Sequence, residues 1–124
     1  MSMDRLLRAW PISAILTFAL SIRLWRLNQP SGYIFDEVYY AKNANSLISS
    51  AVELDGQGQA EFVVHPPLGK WLIAIGIRIF GNSEFGWRFA SAIFGSLSIL
   101  LIYLVAKKLF NSEFLSITAA LLMT

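Results

Sequence analysis

Adjacent carboxylates, the only histidine and two lysines gather in two short stretches of this 124-residue chain. The first stretch is Gly32-Tyr33-Ile34-Phe35-Asp36-Glu37-Val38-Tyr39-Tyr40-Ala41-Lys42. The second is Val63-Val64-His65-Pro66-Pro67-Leu68-Gly69-Lys70-Trp71. A carboxylate such as Asp36 can take a proton from an alcohol as general base, or hold a divalent cation. Asp36 also stands where a helix N-cap would, with Glu37 in the first turn to suit the helix dipole. The two readings are compatible. Arg88 can grip a phosphate with two parallel N–H bonds, or anchor a helix at the level of lipid headgroups. His65 and Lys70 can bind phosphate or sugar, although a lone histidine and an interfacial lysine also serve purely structural ends. Tyr33, Tyr39, Tyr40, Trp71 and Trp87 can stack on a sugar or line a membrane interface. One histidine without cysteine makes no zinc site, and no glycine-rich strand–loop–helix for a nucleotide is present.

The elements that hold these residues are apolar. Hydrophobic residues make up 56% of the chain and charged residues 15%, against about 45–50% and about 25% in a soluble domain. The composition therefore points to a membrane protein, and the pattern of apolar helical runs to an all-α integral membrane fold. A formal net charge of +2 without a basic run speaks against nucleic acid. The absence of cysteine removes disulfides, thiolate metal sites and cysteine nucleophiles.

The pattern predicts a basic cytosolic N-terminus over residues 1–9 and a first transmembrane helix over 10–27, with Pro11 in its first turn. Arg5 and Arg8 before an apolar run suit a signal peptide, but Arg23-Leu24-Trp25-Arg26 stands in place of a cleavage site, so an uncleaved anchor is expected. An external loop over 28–85 follows, with helices at about 37–50 and 68–80. Asp55-Gly56-Gln57-Gly58-Gln59 reads as a flexible connector and Phe62–Val64 as a short extended piece. The 68–80 helix would be about 20 Å long, too short to span, so it reads as interfacial or re-entrant. A second transmembrane helix over 86–106, a cytosolic turn over 107–113 and the start of a third span over 114–124 complete the pattern. Two full spans put Arg5, Arg8, Lys107 and Lys108 on the cytosolic side, as the positive-inside rule requires, and leave the loop outside. Asp36 lies nine residues after Leu27, within about 30 Å of the membrane end even fully stretched. The apolar run ending at Thr124 stops without a cap or basic flank, as an N-terminal piece of a longer membrane protein would.

Three motifs in order, Phe35-Asp36-Glu37-Val38-Tyr39-Tyr40-Ala41-Lys42, His65-Pro66-Pro67-Leu68-Gly69-Lys70 and Gly86-Trp87-Arg88-Phe89-Ala90-Ser91-Ala92-Ile93-Phe94-Gly95, resemble the protein O-mannosyltransferase family. These are multispan membrane glycosyltransferases of the type C fold. The resemblance covers about Leu24 to Phe110, the N-terminal part of a family member. It implies transfer of mannose from a polyprenyl-phosphate-mannose donor to a serine or threonine hydroxyl of a translocated protein, with inversion at the anomeric carbon. Asp36 would be the general base and Glu37 would help position it. Arg88 would hold the lipid phosphate, and His65 and Lys70 would line the donor site. Tyr39, Tyr40 and Trp71 are candidate sugar or lipid contacts. No metal ligand and no certain cofactor are assigned, with a divalent cation left open. The implied partners are the donor, an acceptor protein and the lipid bilayer, with the protein translocation machinery as a further candidate. The implied location is the plasma membrane, multi-pass, with the catalytic loop on the external face. The stretch from Ser50 to Phe62 and the short turn before Glu84-Phe85 depart from the eukaryotic pattern, so a prokaryotic member is expected.

Two other readings stand beside this one. A sister type C transferase would use another lipid-linked sugar, such as aminoarabinose, or a lipid acceptor. A small non-catalytic scaffold subunit would explain the length but not the gathering of Asp36, Glu37, His65, Lys70 and Arg88 at one membrane face. In the transferase reading these 124 residues are expected to be inactive by themselves.

Overall fold

A computed structural model describes residues 3–55, 57–60 and 65–124. Among the described residues five helices follow in order: α1 (Met3–Leu24), α2 (Glu37–Ser50), α3 (Pro67–Phe80), α4 (Glu84–Phe110) and α5 (Glu113–Leu122). The extended piece expected over Phe62–Val64, and Gly56 of the connector, lie outside the described residues.

The chain forms two compact units. One is built from α1, Ala92–Thr124 of α4 and α5; the other is Arg26–Ser91. In the first, Ile12, Ile15 and Ala19 recur at three- and four-residue spacing along one face of α1. They form a core with Ile99 and Tyr103 of α4 and Ala120 of α5. A carboxylate joins α4 to α5. Glu113 accepts hydrogen bonds from the Tyr103 hydroxyl at 2.7 Å and from Lys107 Nζ at 2.5 Å.

Among the described residues α4 alone is long and apolar enough to cross a membrane. Its 27 residues give about 40 Å. The apolar part of α1, Trp10–Leu24, is shorter, because charges close it at Arg23 and Arg26 and the helix ends at Leu24 rather than Leu27. Pro11 also differs from expectation. The helix begins at Met3, so this proline sits inside it, where its missing N–H leaves one rung of the ladder unmade.

In the second unit α2 packs on α3. Small residues Ala41 and Ala44 admit Ile77 and Trp87, flanked by Ile73 and Ala74. The start of α3 follows from Pro66-Pro67: proline in the first turn has no N–H to leave unsatisfied. α3 meets the start of α4 through glycine. A Cβ on Gly76 would fall 2.3 Å from the Gly86 carbonyl oxygen, so no larger residue fits without moving one of the two helices. Phe80, Phe85 and Phe89 fill the corner beside it, with ring centroids 4.6–5.9 Å apart.

The described residues of the connector expected to be flexible carry turn hydrogen bonds. The Asp55 side chain accepts from the backbone N–H groups of Gln57 and Gln59 at 2.8 and 2.9 Å, and Leu54 bridges Ala60. An aspartate that binds backbone two residues on mimics a turn hydrogen bond, and Gly58 supplies the left-handed residue.

Candidate functional site

The loop before α2 is held by Arg88, which reaches back from the first turns of α4. Its Nε donates to Glu37 Oε1 at 2.6 Å and its Nη2 to Glu37 Oε2 at 2.9 Å. Nη1 donates to the carbonyls of Leu27 and Pro30 at 3.1 and 2.9 Å, and Nη2 also to that of Gly32 at 3.1 Å. Five bonds engage a group with five N–H donors. Glu84, one turn earlier, accepts from the Gly32 N–H at 2.8 Å. Tyr33 lies on Trp87 with centroids 4.8 Å apart, and the Lys42 ammonium stands 6.0 Å over the Tyr33 ring. The loop from Leu27 to Glu37 is thus pinned by Glu84, Trp87 and Arg88.

Glu37 faces inward from this clamp. Its Oε2 also accepts from the Ile34 N–H at 3.0 Å. The Arg88 hydrogen bonds hold its carboxyl below the ordinary carboxylate range, with the Ile34 N–H adding to the effect and partial burial opposing it. The Trp87 indole N–H also lowers it, yet that N–H is buried and meets no partner at full hydrogen-bond geometry.

Asp36 faces outward. It occupies the N-cap position of α2 but makes no side-chain capping bond, and its residue is exposed. The two adjacent carboxylates therefore have separate situations: Glu37 is bound to a guanidinium and Asp36 is open to solvent. Among the described residues no group of three or more histidine or carboxylate side chains could hold a metal ion. The residue before Asp36 is strained. Phe35 has φ +50° and is 86% exposed. A bulky side chain in the left-handed region is uncommon and costs about 1–2 kcal/mol.

His65 is exposed, with its ring 5.2 Å from that of Tyr40, one helical turn after Asp36. Tyr39 and Trp71 are exposed. Lys70 is placed otherwise than the spacing suggests. It is 2% exposed, and its ammonium pairs with Glu53, which also accepts from Asn43 Nδ2 at 3.1 Å. Ser46 of α2 holds the next backbone N–H, that of Leu54, at 3.3 Å. Lys70 thus fastens α3 to the segment after α2. Arg88 is likewise engaged inside the protein, so in this arrangement neither cation offers a free donor to a phosphate. Sequence reasoning missed Glu53, Asn43 and Glu84. A signal for Glu53 existed: Lys70 shares a helical face with Ile73, Ala74 and Ile77, and a lysine on a core-facing stripe needs an acid.

This arrangement can present one exposed carboxylate on a braced turn, beside aromatic rings and an imidazole. The comparisons with known proteins concern the same residues. A family model described as dolichyl-phosphate-mannose-protein mannosyltransferase matches residues 13–84, and a second model of the same description matches residues 64–124. A polyprenol-phosphate-mannose–protein mannosyltransferase of Mycobacterium tuberculosis is 34% identical over 98% of this chain and 24% of its own length. That of Mycolicibacterium smegmatis is 36% identical over 93% of this chain and 23% of its own. An undecaprenyl phosphate-alpha-4-amino-4-deoxy-L-arabinose arabinosyl transferase of Pseudomonas fluorescens is 34% identical over 93% of this chain and 21% of its own. The chain spans about a quarter of the length of the curated relatives it matches. No solved structure matches it.

Proposed function

The chain belongs to the dolichyl-phosphate-mannose-protein mannosyltransferase family, and on that premise we propose that it carries the base of a lipid-linked sugar transfer to protein. The donor is polyprenyl-phosphate-mannose and the acceptor a serine or threonine hydroxyl. The acceptor oxygen attacks the anomeric carbon as Asp36 removes its proton. The bond from that carbon to the phosphate oxygen breaks, the phosphate leaves with the electron pair, and the configuration inverts. A phosphate is a stable leaving anion, so what matters is charge to meet it rather than an acid.

The observation that carries this reading is the difference between the two neighbouring carboxylates. Asp36 is exposed and uncapped, while Glu37 is held by Arg88. Glu37 and Arg88 are positioning residues in this reading: they set the turn that presents Asp36. His65, beside Tyr40, is the residue on this face for the donor. Tyr39 and Trp71 remain contacts for sugar or lipid. Lys70 acts through Glu53 by fixing α3, not by touching the phosphate. The apolar length of α4 supports placement in a membrane, and the lysines at its far end favour a cytosolic end there. The loop then lies on the external face of the plasma membrane. With Arg88 and Lys70 engaged by Glu37 and Glu53, a divalent cation is the group left to meet the charge on the phosphate, and the translocation machinery is not needed for this reading.

The test is Asp36→Asn in the complete membrane protein. Loss of a general base costs roughly 10²–10⁴-fold in rate. Turnover is expected to fall by that order, with insertion and loop protection from protease unchanged. Normal turnover by the correctly inserted variant would remove the role. The aminoarabinose transferase relatives favour a second reading, with another undecaprenyl-linked sugar as donor. Competition between polyprenyl-phosphate sugars for the purified protein separates the two.

A further inference from the structure

Phe35 combines two unfavourable features at one residue. Its φ of +50° is a conformation that glycine or asparagine would adopt more easily, and its ring is 86% exposed. Neither feature stabilises the described fold. The turn around it is nevertheless tightly held. Glu37 N–H donates to the Ile34 carbonyl at 3.0 Å, and Ile34 N–H donates to Glu37 Oε2 at 3.0 Å. That same carboxylate is bound by Arg88. The surrounding bonds over-determine the strained residue, which is how strain persists at sites that meet a ligand.

From this we infer that Phe35 is an acceptor-contacting residue, its ring packing on the polypeptide segment that carries the reacting hydroxyl. The inference rests on the proposed role of Asp36. In a direct displacement the base stands beside the attacking hydroxyl, on the side of the anomeric carbon away from the leaving phosphate. The residue next to the base is therefore on the acceptor side. Of the two neighbours of Asp36, Glu37 turns to Arg88 and Phe35 is left uncovered by the described residues. A phenyl ring has no polar group to discriminate sequence. It suits a chain whose side chains vary while its backbone and β-carbons recur, and it contributes by covering apolar surface.

The experiment uses the complete protein in membranes, polyprenyl-phosphate-mannose as donor and a serine- or threonine-containing peptide as acceptor. Phe35→Gly removes the ring and suits the positive φ. The acceptor KM is expected to rise about 10–100-fold, the range for burying a phenyl ring. Donor KM and kcat are expected to stay within about twofold, and amide exchange at Ile34 to be unchanged or slower. Phe35→Leu should fall between. An unchanged acceptor KM overturns the inference and leaves the ring facing lipid or the rest of the protein. A raised donor KM overturns it in favour of the other substrate. Faster exchange at Ile34 shows a structural role and overturns it too. Asp36→Asn runs in parallel: if that variant turns over normally, it is the underlying catalytic reading that fails.

Discussion

Replacing Arg88 by lysine separates a clamp from a phosphate ligand. Lysine keeps the charge but has three donors in place of five, on one atom rather than a planar fork. At least two of the five bonds to Glu37, Leu27, Pro30 and Gly32 must then be lost. A hydrogen bond involving a charged group contributes about 1.5–3 kcal/mol. The Glu37 side chain keeps 26% exposure, so water replaces part of what is lost and the lower end applies. Two bonds then amount to about 3 kcal/mol, or about a hundredfold more frequent opening of the loop. Native-state hydrogen exchange reads this directly at the amides of Gly32 and Ile34, which are bound to Glu84 and Glu37. Exchange at both should accelerate by about two orders of magnitude in Arg88→Lys, with kcat falling and donor KM little changed. Unchanged exchange together with a raised donor KM would refute the clamp and restore Arg88 as a ligand of the phosphate.

Acid should open the same loop. The folded value of Glu37 lies below its ordinary 4.5, so the folded loop binds fewer protons than the open one. Its contribution is complete above about pH 5 and is lost as pH falls through the folded value; Glu37→Gln should abolish that acid limb at the Ile34 amide, while Glu84 keeps its own at Gly32. The buried pair gives another prediction. Glu53→Gln leaves the Lys70 charge buried without its partner and should destabilise the α2–α3 unit by about 3–5 kcal/mol, read as protease sensitivity of the loop. Lys70→Met combined with Glu53→Leu should recover most of that loss, and failure to do so would mean that the pair does more than fill space.

The helices were legible because apolar periodicity and Pro66-Pro67 are local signals. The side chains at the site were legible only by type. Arg88 and Glu37 are 51 residues apart, and no local pattern shows which carboxylate a guanidinium will choose. Asp36 looked like a cap because aspartate caps well; the structure leaves its carboxylate free because the reach-back from Glu37 to Ile34 already closes the turn. Glu53 escaped notice as one acid among apolar neighbours, although the core-facing stripe of Lys70 implied it. Asp55 gives an apparently loose connector two turn bonds that a glycine count cannot show.

The bond between Arg88 and Glu37 also has a consequence for biogenesis. The residues that shape the turn at Asp36 are made long after it. At about 5–20 residues per second, residue 88 follows residue 37 by several seconds. During that interval the turn lacks its guanidinium, its Glu84 and its Trp87. The carboxylate at position 36 therefore reaches its presented geometry only when the first turns of α4 arrive. A ribosome stalled before residue 84 would hold a chain with every residue of the first motif and its local turn bonds, but without the side chains that brace them. Maturation of this site is timed by the making of α4, not by the order of the motif itself.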